Sequence, residues 1–392
     1  MKIVHILDYF TLKLGYQEAF LAREEVKNKD EVYILTSNRN YPFPNYEETY
    51  KNILWNRELK SWEFKEEWII IKRLKSVFEI PSSALVVFMW ILKNLRKIKP
   101  DVIVCHDLIK PNNIRAYFYK NFFNKSVKII IDTHEAEYNT SIDSILKKLY
   151  IALRKIFYRP IITKYSDKIV ATWPNEKAFT LKYFLSKKTK IEIIPLWADT
   201  ELFKPNKDIR DKMRRQYNIK DNEIVFVNAW KINETKKNME LLEAFWELYK
   251  THKNLRLFFI WNWDQSYINK MKKFVENNKL EDFVTFIPFI KNEELPNYFN
   301  MADVWVWPWS RSNVFWEAAS CWLPLILEDR EYTRELVYEW ENWYLLNTIT
   351  KDSVYKSLDK IIKMDIKKMW LKSREIIEKE FSWKIINQKL LK

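Results

Sequence analysis

The chain of 392 residues is 47% hydrophobic and 30% charged, which is typical of globular proteins and excludes a disordered chain. Its length predicts two or three domains, and its net charge of +15 indicates an anionic, phosphate-bearing partner. Cys105 and Cys321 lie far apart, which excludes a disulfide framework and a cysteine metal motif and is typical of a reducing cytoplasm. The N-terminal MKIVHILDYF is too short and too polar for a signal peptide, and no apolar run approaches the ~20 residues of a membrane span. We therefore expect a cytoplasmic protein, soluble or peripheral on a membrane.

Short apolar segments alternate with helical ones through the first half of the chain. This alternation predicts a parallel, doubly wound sheet covered by helices. Strands are expected at Lys2–Leu7, Glu31–Thr36, Asp101–Cys105, Lys128–Asp132 and Lys168–Thr172, and helices at Tyr16–Lys27 and Ser82–Lys97. The less regular region from Asn40 to Ile71 predicts a loop and a hairpin that contact an acceptor.

A second series of alternating segments begins near Lys190, after which a proline-bounded linker ends near Pro205. Its expected strands are Glu192–Pro195, Ile224–Val227, Leu255–Ile260, Val284–Ile287, Val304–Val306 and Leu325–Leu327. Its expected helices are Asn238–Lys250, Gln265–Asn278, Asn292–Asn300 and Phe315–Ser320. The two series predict α/β domains over residues 1–190 and 191–365, followed by a C-terminal helix over residues 366–392 that returns toward the first domain.

Much of the positive charge lies between Lys147 and Lys168, in KKLYIALRKIFYRPIITKYSDK. This segment has two alternative interpretations. It is either a solvated basic helix face or a basic and aromatic surface that binds anionic membrane. Nucleic-acid binding is not expected, because neither zinc-finger spacing nor an aromatic RNA-binding motif is present.

Glycine and tryptophan occur in unusual numbers. The chain has one glycine and 19 tryptophans, whereas average usage of about 7% predicts roughly 27 glycines. Trp261 and Trp263 follow an apolar strand in FFIWNWD, and Trp340 and Trp343 occupy EWENWYLL, which reads naturally as a turn. Such positions require the positive φ that glycine adopts and bulky residues avoid.

These positions lead to the hypothesis that UGA codons, printed here as tryptophan, encode glycine in the source organism. Trp307, Trp316 and Trp383 lie in strand or helix contexts and are expected to be true tryptophans. The remaining 16 of the 19 tryptophans are suspected glycines. A true tryptophan-rich protein is the alternative.

Several segments together resemble a known family, the retaining glycosyltransferases of the GT-B type, family 4. In the second half these are IIPLWADTELFKP, FFIWNWD, ADVWVWPWSRSNVFWEAASCWLP, EWENWYLL and the terminal FSW. In the first half they are LGYQEAFLA, PDVIVCHD and IIIDTHE. The resemblance spans nearly the whole chain and implies two Rossmann-like domains (GT-B) that face a central cleft.

The resemblance implies that the second domain binds the donor. Lys231 and Lys237 match the basic residues that hold the donor diphosphate, whose growing charge fixed cations stabilise. Ser312, Asn313 and Val314 would bind phosphate through backbone amides at a helix N-terminus. The alternative for Lys231 and Lys237 is that they are ordinary solvated lysines on the surface.

Glu317 matches the second glutamate of the family's paired motif, which accepts hydrogen bonds from the ribose hydroxyls. Its alternative is an ordinary carboxylate on a helix surface. The family's first glutamate would fall eight residues earlier, where this chain has Trp309. The residue that contacts the donor sugar is therefore missing, which affects donor identity and activity.

The first domain is expected to supply the acceptor side. His134 would face the donor sugar and stabilise charge in the transition state. His106 and Asp107 end another strand and would line the acceptor side, while Gly15, the one printed glycine, would approach the donor phosphates or the acceptor. Each could instead be an ordinary cap, loop or turn residue. The single glycine forms no G-x-G-x-x-G fingerprint, and no acidic ribose anchor follows about 20 residues later, which argues against a dinucleotide oxidoreductase.

These features predict transfer of a sugar from a UDP- or GDP-linked donor to a lipid-linked or cell-surface glycan acceptor, with retention. No cofactor and no metal are expected, because lysines and helix amides can replace a metal at the diphosphate. A nucleotide-sugar epimerase of the same fold and an inactive, membrane-associated binding subunit are the alternatives.

Overall fold

A computed structural model describes the chain except residues 15, 44–45, 138–144, 195–197, 230–231, 261–263, 289, 308–313, 331–332 and 334–340. The chain divides into two compact units. The first comprises Met1–Leu196 and Ile386–Lys392, and the second comprises Trp197–Ile385. The division falls within the linker that the sequence predicts between Lys190 and Pro205.

The first unit contains an eight-stranded sheet and a separate hairpin. Its strands are β1 Lys2–Leu7, β2 Glu31–Ser37, β3 Trp62–Glu66, β4 Ile69–Leu74, β5 Ser76–Ile80, β6 Leu85–Phe88, β7 Val102–Cys105, β8 Lys128–Thr133, β9 Lys168–Ala171 and β10 Glu192–Ile193. The sheet has the order β10-β9-β8-β7-β1-β2-β4-β3, and only β3 runs antiparallel to its neighbour among the described pairs. β5 and β6 form the hairpin.

Helices cover this sheet because their apolar faces pack on its buried strands. They are α1 Gln17–Lys27, α2 Tyr46–Thr49, α3 Lys51–Leu54, α4 Ile91–Ile98, α5 Ile114–Phe122, α6 Ile145–Tyr165 and α7 Pro174–Tyr183. The core combines strand residues such as Val4, Ile103 and Ile131 with Leu95 of α4 and Phe179 of α7. Strands buried on both faces read as continuous apolar runs, which is why the sequence identifies them readily.

The predicted helix over Ser82–Lys97 is wrong in its first half. Residues Leu85–Phe88 form β6 and pair with β5, and the helix begins only at Ile91. Val86 and Phe88 are buried in alternation, as expected of a strand with one face on the core. β-branched residues in the LVVF run favour this outcome over a helix.

The second unit has a six-stranded parallel sheet in the order β13-β12-β11-β14-β15-β16. Its strands are β11 Ile224–Ala229, β12 Leu255–Ile260, β13 Val284–Ile287, β14 Val304–Trp307, β15 Leu325–Glu328 and β16 Trp343–Leu346. Its helices are α8 Lys207–Gln216, α9 Asn238–Thr251, α10 Gln265–Asn277, α11 Leu295–Met301, α12 Val314–Ser320, α13 Lys351–Ile361 and α14 Ile366–Glu380.

The C-terminal segment is divided between the units. α14 belongs to the second unit, whereas α15, Trp383–Leu391, enters the first unit from Ile386 onward. There Lys128 Nζ donates to the carbonyl oxygen of Leu391 at 3.0 Å. The single helix expected over residues 366–392 is therefore two helices, separated at Phe381 and Ser382.

Each sheet has one point where the order of strands reverses. β1 lies between β2 and β7, and β11 lies between β12 and β14, so the chain adds strands first on one side and then on the other. Open α/β sheets bind ligands beyond the carboxyl ends of the strands at such switch points. The ends of β1 and β7, and those of β11 and β14, are thus the positions where the fold favours a ligand.

Candidate functional site

Polar side chains meet at the switch point of the first unit. His5 lies on β1, His106 directly follows β7, and Asp132 lies on β8, so sheet order makes the three neighbours. His5 Nδ1 is 2.9 Å from His106 Nε2, and His106 Nδ1 is 2.6 Å from Asp132 Oδ2. His5 Nε2 is 2.7 Å from Glu25 Oε2 of α1. All four side chains are buried.

His134 joins this cluster through Asp132. Its Nε2 is 3.4 Å from Asp132 Oδ2. Burial would lower the pKa of His134, but the Asp132 carboxylate outweighs this and raises that pKa to about 10. Burial would likewise raise the pKa of Asp132, but the two histidines, His106 and His134, hold that pKa well below its ordinary value. His134 is therefore a cation at neutral pH, with a side chain that is 27% exposed.

Asp107 also lies at this switch point. Its backbone has φ of 66°, and its N–H donates to Asp132 Oδ1 at 2.8 Å. Its carboxylate and that of Asp8 both pair with Lys110, at 3.3 and 3.2 Å. The sequence-predicted acceptor-side residues, His106 and Asp107, thus lie beside His134 at one edge of one sheet.

The switch point of the second unit places Lys237 after β11. Lys237 precedes α9 with φ of 55°, its side chain is 40% exposed, and its Nζ pairs with Glu240 at 3.1 Å. The buried Asn238 donates to Asn228 Oδ1 at 3.1 Å, and Asn228 donates to the Val306 carbonyl at 2.7 Å. These two asparagines join the end of β11 to β14 and to the start of α9.

Glu317 follows β14, in the first turn of α12. Its Oε2 is buried and has no hydrogen-bond partner among the described residues. Burial raises the pKa of Glu317 to about 8, Asn292 opposes this through a hydrogen bond, and Asp199 adds to it. The carboxyl group is thus available to a hydrogen-bond donor that the described protein does not supply.

Some predicted site residues cannot be compared with the structure. Gly15, Lys231, Ser312 and Asn313 lie outside the described residues, as does Trp309 at the position of the missing glutamate. Val314 is the first residue of α12. Among the described residues, no group of three or more histidine, cysteine or acidic side chains is arranged to hold a metal ion.

Sequence reasoning missed four residues at these two switch points, namely His5, Glu25, Asn228 and Asn238. His5 gave a weak signal, because a histidine inside an apolar strand must find a polar partner when buried. The asparagines gave none, since their partner β14 is distant in sequence.

Comparison with known proteins matches the second unit to a family. Residues 209–380 match the model of the family described as Glycosyl transferases group 1. The chain is 25% identical over 224 residues to spore coat protein SA of Bacillus subtilis, covering 53% of this chain and 59% of that protein. It is 25% identical over 290 residues to an uncharacterized glycosyltransferase of Methanocaldococcus jannaschii, covering 71% and 64%. The chain thus matches less than two thirds of the length of these relatives.

Solved structures resemble the whole chain in fold. A glycosyltransferase from Rickettsia africae has a TM-score of 0.70 at 15% identity, covering 100% of this chain and 96% of that one. HepE of Anabaena in complex with UDP has a TM-score of 0.70 at 12% identity, covering 100% and 98%. The predicted fold class, with two Rossmann-like domains of the GT-B type, is confirmed.

Proposed function

We propose that the protein is a retaining glycosyltransferase whose second unit binds a nucleotide-sugar donor. The observation that carries this proposal is the placement of Lys237 and Glu317 after β11 and β14, the two strands of the switch point. The match of residues 209–380 to a glycosyltransferase family supports it, because that segment contains both residues.

The chemistry of these residues fits a nucleoside diphosphate. Lys237 can replace its pairing with Glu240 by a pairing with the diphosphate, which becomes more negative as the glycosidic bond breaks. Lys231 and the amides of Ser312, Asn313 and Val314 would complete the phosphate contacts. Glu317, with one buried oxygen unpartnered among described residues, would accept hydrogen bonds from the ribose hydroxyls.

His134 would act on the donor sugar. As a cation held by Asp132, it can hydrogen-bond a sugar hydroxyl and stabilise the departing negative charge. His106 and Asp107 would line the acceptor side. The acceptor would attack from the face that the diphosphate leaves, so that no protein nucleophile is required and the configuration is retained.

Nucleotide binding and anomeric stereochemistry test this proposal. UDP or GDP should raise the melting temperature, UDP being the first choice because the similar HepE structure contains it. Transfer products should keep the anomeric configuration of the donor when followed by proton NMR. Inversion would contradict the proposed mechanism, and the absence of binding by any nucleotide sugar would contradict the function.

We also propose that glycine replaces many of the printed tryptophans in the native protein. Among the described residues, Trp55, Trp68, Trp90 and Trp322 have φ between 63° and 76°. Their exposed fractions are 62%, 73%, 55% and 36%. A left-handed backbone costs a bulky residue roughly 1–2 kcal/mol and costs glycine almost nothing.

Two of these positions belong to motifs that select glycine. Trp68 is the second residue of the two-residue turn between β3 and β4, and both turn residues have positive φ, which favours glycine at the second position. Trp322 follows α12, where the Trp322 N–H donates to Ala319 and the Leu323 N–H donates to Ala318. This is a Schellman motif, whose left-handed residue is usually glycine.

Intact mass of protein from the native host tests the recoding. Each tryptophan that is glycine lowers the mass by about 129 Da, the difference in side chains. A native mass that matches all 19 tryptophans would overturn the proposal. Trp307, Trp316 and Trp383, which are buried, are expected to remain.

An anionic membrane surface is the partner proposed for the first unit. Exposed apolar side chains lie on two helices that contact each other: Phe118 and Phe122 on α5, with Phe123 directly after it, and Leu153, Ile156 and Phe157 on α6; we call these six residues the apolar patch. The exposed Arg159 and Lys164 lie on α6, C-terminal to Phe157. Apolar side chains beside basic ones favour the boundary of an anionic bilayer. No described helix is long and apolar enough to cross a membrane.

Vesicle sedimentation tests this partner. The chain should bind vesicles that contain phosphatidylglycerol more tightly than vesicles of phosphatidylcholine alone, and salt should weaken the binding. Ile156→Ser and Phe157→Ser should each weaken it, whereas Leu371→Ser, at an equally exposed residue of α14, should not. Equal binding by all three variants would contradict a role of the patch.

A further inference from the structure

Three of the four histidines of the chain, His5, His106 and His134, lie in one connected cluster of the first unit. The buried part of the cluster has four residues joined by three contacts. Glu25 Oε2 lies 2.7 Å from His5 Nε2, and His5 Nδ1 lies 2.9 Å from His106 Nε2. His106 Nδ1 in turn lies 2.6 Å from Asp132 Oδ2. We call these four residues the buried chain. None of its members is more than 6% exposed.

The buried chain has three contacts at hydrogen-bond distance, and each contact needs one proton. In water near neutral pH, two carboxylates and two neutral imidazoles carry only two protons on the groups concerned. With two protons, His5 would donate to Glu25 and His106 would donate to Asp132. The two nitrogens that face each other, His5 Nδ1 and His106 Nε2, would then both be bare lone pairs at 2.9 Å.

We propose that Glu25, His5, His106 and Asp132 hold a third proton, and that Glu25 and His5 thereby act as positioning residues for His134. With the extra proton, each of the three contacts from Glu25 to Asp132 contains one proton. The count of three protons is the same wherever in the buried chain the extra proton lies. Fixed in this way, Asp132 Oδ2 is directed toward His134 Nε2 at 3.4 Å.

The charged groups around the buried chain favour an additional proton. Glu18 of α1 acts on His106, while Asp107 and Glu176 act on His134, and all three are acidic. Cys105, beside Asp132, has its pKa raised by burial, so its thiol is uncharged at neutral pH. Except for His134 itself, the groups that act on His106 and His134 therefore favour positive charge there.

Gln17 gives a second sign of how His134 is held. Its amide nitrogen is placed 2.6 Å from His134 Nε2. The oxygen and nitrogen of an amide can be exchanged without changing the shape of the side chain. A separation this short fits an amide oxygen that accepts from a charged imidazole better than an amide N–H that donates to a neutral one.

Selective ¹⁵N labelling of the histidines in the full chain tests the proton count. Long-range ¹H–¹⁵N spectra at about pH 7.5 report whether each ring nitrogen carries a proton. We expect a proton between His5 Nδ1 and His106 Nε2, slow to exchange with water. His252→Asn is the matched control, because His252 lies outside the cluster, and its loss should remove one set of signals and leave the others unchanged. Two bare facing nitrogens would overturn the proposal.

Glu25→Gln sharpens the test because it preserves the shape of the side chain. Its amide can donate to His5 Nε2, so that two neutral imidazoles satisfy all three links with no extra proton. Above about pH 6.5, the ordinary histidine pKa, the four residues of the buried chain take up one proton on folding in the wild-type protein and none in Glu25→Gln, while proton uptake by other groups is common to both proteins. Between pH 7.5 and 8.5, the wild-type folding equilibrium constant should fall up to tenfold more than that of Glu25→Gln. Equal slopes would overturn the third proton.

The titration of His134 tests the positioning role, which rests on the proposed function. Glu25→Gln should keep the titration midpoint of His134, whereas Glu25→Leu should lower it, because His5 then loses its partner. An unchanged midpoint in a folded Glu25→Leu protein would overturn the positioning role. The spectra need no substrate, so a failure of nucleotide binding would contradict the proposed function while leaving the proton count intact.

Discussion

The two switch points differ in how their polar groups are satisfied. Beside β1 and β7, buried side chains contact one another. Asp132 makes three such contacts, with His106, with His134 and with the backbone N–H of Asp107. Beside β11 and β14, Glu317 keeps a buried oxygen without a partner among the described residues. Leaving a buried polar group unpaired costs about 1–3 kcal/mol. At the first switch point the buried side chains contact mainly one another, although Glu25 Oε1 has no hydrogen-bond partner among the described residues, while the second switch point gains stability when a ligand donates to Glu317.

This difference fits the two roles that we propose. A preorganised cation such as His134 acts on a transition state without reorganising, which is the property that electrostatic catalysis requires. Among the described residues, in contrast, Lys237 pairs with the nearby Glu240 at a partly exposed position. Exposed pairs of this kind contribute little to stability, so the pairing is readily exchanged for a phosphate.

The largest expected effect comes from removing the charge of Asp132 at the switch point of β1 and β7. Asp132→Asn leaves His106 and His134 without their counterion, and breaking a buried ion pair costs about 3–5 kcal/mol of unfolding free energy. Urea denaturation at neutral pH measures this loss. Because the pKa of Asp132 is depressed in the folded protein, its contribution is present above the ordinary aspartate pKa and disappears on acidification. The difference between wild type and variant should therefore shrink toward acidic pH, and a constant difference would contradict the ion-pair explanation.

The next largest effect concerns Lys237, at the switch point of β11 and β14. Lys237→Ala should weaken nucleotide binding by about 1.5–3 kcal/mol, as expected for a charge-assisted hydrogen bond. Isothermal titration calorimetry with UDP and GDP measures this. Lys236→Ala, at the adjacent residue of the same turn, is the control and should bind as the parent does. Unchanged affinity in Lys237→Ala would remove this residue from the phosphate site.

The sequence predicts the strands and their ends well, because parallel strands are apolar runs followed by polar residues. His106, Asp107 and His134 were placed at strand ends in this way, whereas Glu317 was selected only through the family resemblance. The hairpin of β5 and β6 was not, because LVVF could pack as a helix until its cross-strand partners were known.

Contacts that depend on strand order were also beyond sequence reasoning. His5 meets His106 only because β1 lies beside β7, although the two residues are 101 positions apart. Asn228 reaches Val306 for the same reason, across 78 positions. The spacing of residues along the sequence does not predict which strands lie side by side.

A third experiment uses pH to distinguish the edges. Burial raises the pKa of Glu317 to about 8, so the folded protein keeps this group protonated at neutral pH. A carboxylate is needed to accept from both ribose hydroxyls, and nucleotide binding should therefore release this proton. UDP affinity should rise roughly tenfold, or about 1.4 kcal/mol, between pH 7 and 9. Glu317→Gln should bind more weakly at pH 9 and lose this dependence. A dependence that persists in Glu317→Gln belongs to another group.

The smallest expected effect concerns the turn between β3 and β4, away from both edges. Trp68→Gly should stabilise the protein by about 1 kcal/mol, because relief of the left-handed strain slightly exceeds the entropy that glycine loses on folding. The change also removes the contact of Lys65 Nζ with the Trp68 ring, at 4.1 Å, which is a small loss at an exposed site. Urea denaturation followed by circular dichroism measures the gain.

Trp62→Gly in the same hairpin is the matched control, because Trp62 is 52% exposed but lies in the extended strand β3. Glycine there removes the ring contact with Phe64 and adds backbone freedom to the unfolded chain, so stability should fall by roughly 0.5–1 kcal/mol. Opposite signs in the two variants would show that backbone conformation, rather than the loss of an exposed ring, decides where glycine belongs. If both variants lose stability, the left-handed position tolerates tryptophan, and the structural argument for recoding at Trp68 fails.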